Sequence, residues 1–182
     1  MNLEENSEIK DEALRKIGRN VVNFQKIEGM LKLIISRHNL KGPINDFESL
    51  ITEKRNSVEY DSLGKLAKEY FNSIYSDSEN EKKYTPVEKS HFEISLKITA
   101  EDGSLPIQKK EFQSMVAERN RLIHQMLVSF NPCSTESCQA LITELDKQNE
   151  TIKRHYTNLQ NLILAFQEGI NQLAKEDYAD NC

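Results

Sequence analysis

Between Ile9 and Ile35 apolar side chains return every three or four residues: Ile9, Ala13, Ile17, Val21, Phe24, Ile27, Met30, Leu31, Ile34 and Ile35. That is a helical stripe of about eight turns, predicting a helix over residues 7–38 that Gly42-Pro43 stops. After a looser stretch, Leu63, Leu66, Ala67, Tyr70, Phe71 and Ile74 mark a second, shorter helix. The polar run SDSENEKKYTPVEKS, residues 76–90, reads as an exposed loop. In HFEISLKIT the period changes: Phe92, Ile94, Leu96 and Ile98 alternate with Glu93, Ser95, Lys97 and Thr99. Period two means a strand or extended arm, which needs a partner in its own chain or in another protomer. EDGS at 101–104 is a turn.

A third helix is expected over 107–130. NPCSTES breaks the chain and offers Ser134 or Thr135 as an N-cap. A long fourth helix, about 136–174, repeats Leu141, Leu145, Ile152, Tyr156, Leu159, Leu162, Ile163, Phe166, Ile170 and Leu173. The elements predict an all-α fold: an antiparallel helical bundle of four to five helices with a short β-like arm or hairpin near residues 91–99. With no internal repeat, 1–182 reads as a single helical domain with flexible ends at 1–6 and 176–182.

Composition narrows the picture. Six Gly and four Pro in 182 residues are too few turns for a many-stranded sandwich or barrel. The acidic start MNLEENSEIK has no apolar core, so it is not a signal peptide, and no apolar run approaches a membrane span. The three cysteines, Cys133, Cys138 and Cys182, form no scaffold pattern, and no His or Cys pair follows Cys133 and Cys138 at ligand spacing. A soluble cytoplasmic protein without metal or cofactor is the expectation. A net charge of −5 argues against broad, avid nucleic-acid binding. Yet residues 13–41 carry seven bases against Glu28 alone, while 133–182 carry eight acids against four bases. The basic first helix is either a local phosphate-binding face or a partner for the acidic last helix.

The chemistry concentrates in RNRLIH, residues 119–124. At about 100° per residue from Phe112, the residues Met115, Val116, Leu122, Ile123, Met126, Leu127 and Phe130 lie within about 80°. Arg119 falls near the centre of that stripe, where a guanidinium must be paired or face a cleft. Asn120 and His124 sit side by side on its border, and Arg121 points outward. His38 ends the first helix, where a cation suits the dipole. His155 reads as a surface residue and Tyr156 as core.

Arg119-Asn120-x3-His124 resembles the R-x4–6-H signature of the HEPN superfamily, all-α domains of bacterial toxins, phage-defence proteins and RNA-processing enzymes. Met126 stands where the best-known toxin branch has Tyr, so that branch is not implied. The resemblance implies a metal-independent endoribonuclease, toxin or phage-defence related, acting as a homodimer whose composite site cleaves RNA by 2′-hydroxyl attack. By it, His124 is the general acid or base, Arg119 stabilises the phosphoryl charge, and Asn120 positions the phosphate or the imidazole. Arg121, Arg19 and Lys26 are the candidate RNA contacts. The alternative is a non-catalytic helical module that binds nucleotide or a partner protein such as an antitoxin or adaptor.

Overall fold

The computed structural model describes residues 3–76, 91–99 and 103–179, with side chains for 6–75, 91–99 and 103–172. Residues 77–90 of the loop expected at 76–90, Glu101 and Asp102 of the EDGS turn, and Cys182 lie outside the described residues. The chain is an all-α helical bundle with a short antiparallel strand pair. In order come α1 (Leu3–Ser36), β1 (Leu40–Pro43), a 3-10 turn (Ile44–Asp46), α2 (Phe47–Val58), α3 (Leu63–Ser73), β2 (Tyr75–Ser76), β3 (His91–Ile94), β4 (Ile98–Thr99), α4 (Ser104–Arg121), a π turn (Leu122–Met126), α5 (Leu127–Ser129) and α6 (Thr135–Ala179). No helix among the described residues is long and apolar enough to cross a membrane. Two compact units form: Met1–Ile27 with Lys110–Thr157, and Glu28–Lys109 with Asn158–Cys182.

The first unit is three helical segments around Ala13, Phe24, Ile27, Phe112, Met115, Leu122, Leu145 and Ile152, all buried. Asn6 bonds Thr135, Lys16 pairs with Asp146, and Asn23 bonds Asn149, so α1 and α6 run parallel here. Arg121 pairs with Glu144 and Arg154 with Glu111, which sets α4 antiparallel to α6. A buried chain of amides fixes this register. Asn20 is 0 % exposed and donates to the Leu145 carbonyl at 2.8 Å and to Gln148 Oε1 at 3.0 Å. Gln148 in turn donates to the Glu118 carbonyl at 3.1 Å. Three helices are thus joined by two side chains. Ser134 is the N-cap of α6, its hydroxyl accepting the Ser137 amide at 3.2 Å.

The second unit shows where the expected strand goes. β3 pairs antiparallel with β1 in the same chain, Leu40 opposite Ile94 and Gly42 opposite Phe92. Strand pairing is interrupted at 95–97, although half-buried Phe92, Ile94, Leu96 and Ile98 still alternate with exposed Glu93, Ser95, Lys97 and Thr99, and Ile98–Thr99 pair in parallel with Tyr75–Ser76. Gly42 was expected to stop α1, but it lies within β1. There a Cβ would meet Leu50 Cδ1 of α2 at 2.7 Å. The helix ends at Ser36, and the chain reverses at Asn39, φ +53°, a left-handed position Asn tolerates. The looser stretch holds α2, whose stripe of Phe47, Leu50, Ile51 and Val58 is sparse. Phe47 meets Phe92 edge-on at 4.9 Å, and Lys54 caps the turn by donating to the His38 carbonyl.

The amide chain makes a testable prediction. Asn20→Leu and Gln148→Leu each strand a buried polar partner, costing about 1–3 kcal/mol. In a chain of this size that is roughly 2–4 °C of melting temperature per kcal/mol. The double variant is expected to lose less than the sum, by about 0.5–3 kcal/mol. Denaturant unfolding of all four proteins measures this; strict additivity would show that the two amides are not coupled.

Candidate functional site

The motif lies in the first unit, on the C-terminal turn of α4 and the π turn that follows. Among the residues of this segment, Phe112, Met115, Leu122 and Met126 are buried. The Leu127 N–H donates to the Leu122 carbonyl five residues back, which defines the wider turn. One additional residue per turn shifts the helical phase. Leu122 and Met126, about 40° apart on a helix, are both in the core, while His124, on the opposite side of the helix from them, is exposed rather than on the rim of the stripe.

Arg119 sits on the stripe by position but not by burial. It is half-buried, and its Nη1 donates to Asn120 Oδ1 at 3.1 Å on the exposed side. A long side chain keeps its stem against the core and carries the guanidinium out. No carboxylate pairs with it among the described residues. Asn120 is exposed and bonds Arg119, not His124. Val128 lies one turn beyond His124 and is 81 % exposed.

Arg121 does not point freely outward. It is half-buried and held by Glu118 at 2.9 Å and by Glu144. The hydrogen bond to Glu118, then that to Glu144, raises its pKa above the ordinary value. Arg19 is similarly engaged: Nε donates to Asn20 Oδ1 at 3.0 Å, and Nη2 reaches the Leu145 carbonyl and Asp146, both at 3.2 Å. Lys16, ahead of Arg19, holds the Asp146 carboxyl below the usual range. For Lys16 and Arg19 the basic face of α1 is therefore a partner for α6. Lys26 is exposed and makes no ion pair among the described residues. No hydrogen bond or ion pair joins Arg19 or Lys26 to Arg119 or His124 among those residues.

Two histidines differ from expectation. His38 is buried in the turn after α1, its amide bonded to the Ile35 carbonyl. His155 is buried, its ring edge-on to Phe112 at 5.0 Å, while Tyr156 is half-buried. The stripe of α6 runs Ile152, His155, Leu159, so the imidazole takes the core position expected for the phenol. Sequence reading also missed Asn20, Gln148, Glu118 and Glu144, the groups that set the motif helix. A signal existed for the amides: both fall at three- or four-residue spacing within apolar stripes.

Cys133 is exposed and Cys138 is buried; neither is disulfide-bonded. Among the described residues no three His, Cys, Asp or Glu side chains are placed to hold a metal ion. No family model, curated protein or solved structure matches the chain.

His155 carries a pH prediction. Desolvation by burial, then the charge of Arg154, lowers its pKa below the ordinary value, with Glu111 opposing. The unfolded chain then binds the proton more readily, so this contribution is complete above the unfolded pKa of about 6.5 and is lost as pH falls through the folded value. Wild type should lose stability from about pH 7 toward pH 5 more steeply than His155→Phe in urea titrations. Parallel profiles would remove this assignment.

Proposed function

We propose that the chain is a metal-independent endoribonuclease of HEPN type, toxin or phage-defence related and cytoplasmic. It would cleave RNA by 2′-hydroxyl attack at a composite site formed by two copies of the chain. The observation that carries this reading is the state of the motif. His124 is exposed on a π turn, and Arg119, five residues before it, is tied to Asn120 instead of to a carboxylate. Single π turns inside α-helices are frequent at functional sites.

The residue types suit the reaction. One imidazole takes the 2′-hydroxyl proton, the 2′-oxygen attacks phosphorus, and the P–O5′ bond breaks. The other copy's imidazole, entering protonated, gives its proton to the leaving 5′-oxygen. A histidine does both tasks near neutral pH. The guanidinium of Arg119 answers the charge gathering on the phosphoryl oxygens, and Asn120 orients that guanidinium. The products are a 2′,3′-cyclic phosphate and a 5′-hydroxyl. Among the candidate RNA contacts, Lys26 is exposed and makes no ion pair among the described residues, whereas Arg19 and Arg121 must first give up their carboxylates.

That engagement is the specific observation favouring the second reading, a non-catalytic module that binds a protein partner. Arg19 and Arg121 are held by carboxylates, which weakens their attraction for a polyanion.

Purified protein incubated with single-stranded or transfer RNA in EDTA separates the readings. Cleavage with cyclic-phosphate ends is expected, and His124→Ala and Arg119→Ala should each reduce it by about 10²–10⁴-fold with unchanged circular dichroism. Equal cleavage by wild type and His124→Ala, or none by wild type, removes the ribonuclease reading.

A further inference from the structure

Arg37 stands in an unusual place for a cation. It follows the last residue of α1 and is half-buried. With Leu33 of α1, Leu96 between β3 and β4, and Leu162, Ile163 and Phe166 of α6, it lines a shallow cleft whose other walls are apolar. All of these residues belong to the second unit. Arg19 and Arg121, half-buried as well, are held by carboxylates, and half-buried Arg119 donates to Asn120. Arg15 and Arg154 pair with acids, and Arg55 is exposed. The Arg37 guanidinium makes no hydrogen bond or ion pair among the described residues. A position just past a helix C-terminus suits its charge. That does nothing for donors set between apolar walls, which lose water without gaining an acceptor.

The apolar side of the cleft continues along α6 and is incompletely covered. Beyond Leu159, itself buried, every described side chain of the helix is half-buried or exposed. Setting Phe166 at zero and turning about 100° per residue, Leu159, Leu162, Ile163 and Ile170 nevertheless fall within about 60° of it. From Leu162 to Ile170 this seam runs about 12 Å, a little over two turns. Whatever covers it must supply apolar side chains at three- and four-residue spacing and a carboxylate at Arg37. An amphipathic helix with an acid beside its stripe does both. Apolar walls make the resulting ion pair stronger than one in open water. An arginine and a phenylalanine lining one cleft also match the composition of protein-interface centres. Other occupants meet only half of the demand. The same segment of a second copy brings no acid, since Glu168 is the only charge in residues 158–172 and falls about 200° from Phe166. A phosphate backbone answers the guanidinium but not the seam.

We propose that the cleft between the end of α1 and the C-terminal half of α6 docks an acidic amphipathic helix of another protein. Its apolar stripe lies on Leu162, Phe166 and Ile170, and its Asp or Glu meets Arg37. The inference does not rest on the ribonuclease reading.

A phage-displayed library of helical peptides tests it, with Leu fixed at i, i+3, i+4 and i+7 and the flanking positions randomised among Glu, Lys, Gln and Ala. Panned against the full chain, it is expected to yield peptides with Glu beside the stripe. Synthesised and followed by fluorescence anisotropy, these should lose about tenfold or more in affinity for Arg37→Gln. Arg37→Glu should prefer the same peptides with Glu replaced by Lys. Ile170→Glu should reject them with unchanged circular dichroism, and Ile170→Gln takes its place should helicity fall. Leu164→Glu, 56 % exposed and about 160° from Phe166, should bind as wild type does.

Enrichment without acids, equal affinity for Arg37→Gln, or no enrichment at all overturns the proposal. So does a wild-type dimer in sedimentation equilibrium that Ile170→Glu dissociates, because a second copy then occupies the seam. Acidic helices selected by a chain that cuts no RNA would leave the inference standing and remove the ribonuclease reading. RNA cleavage by a chain that selects no acidic helix would do the reverse.

Discussion

Asn20 has no water to bond and no apolar side chain to imitate, so its amide must find partners inside the protein. It finds them on α6, and Gln148 passes the demand on to α4. Apolar packing alone tolerates sliding and rotation of helices, because one greasy contact resembles the next. A buried hydrogen bond does not, since a shift of an ångström leaves a donor unpaired in a low-dielectric interior. The amide chain therefore sets the relative height and rotation of three helices in the first unit. Everything displayed by the end of α4 follows from that setting.

The same setting sorts the cations. Glu118 lies on the segment that receives Gln148, and with Glu144 it captures Arg121. Asp146, one residue after the carbonyl that receives Asn20, captures Lys16 and Arg19. These guanidinium and ammonium groups hold helices together. Arg119 makes no ion pair among the described residues and donates to Asn120 at the surface, and His124, five residues on, is exposed. Neutralisation of neighbouring bases and release of one arginine are two results of a single packing arrangement.

In the second unit the equivalent constraint is the short antiparallel pair. β1 and β3 come from segments about fifty residues apart, and their contact is fastened by Phe47 against Phe92 and by Ser95 donating to the Asn39 side chain. Asn39 serves twice, taking the left-handed turn that ends α1 and accepting that bond. The pair closes within one chain.

What could be read from residue order was whatever depends on neighbours three or four positions away. The stripes of α1, α3 and α6, the Ser134 cap and the two-residue alternation of 91–99 are local patterns, and local sterics and burial dictate them. The motif Arg119-Asn120-x3-His124 was legible for the same reason. Residue order alone did not reveal α2, whose apolar positions are too sparse to stand out, or the end of α1 at Asn39. Nor did it tell which base meets which acid. Arg119 and Arg121 are two residues apart and chemically identical; Glu118 one turn back and Glu144 on the approaching α6 both hold Arg121, while Arg119 donates to Asn120. His155 and Tyr156 exchanged places for a related reason: a stripe wide enough for both is divided by the ring that faces it, and Phe112 faces the imidazole. Periodicity assigns a face, whereas the partner on that face is a property of the folded chain.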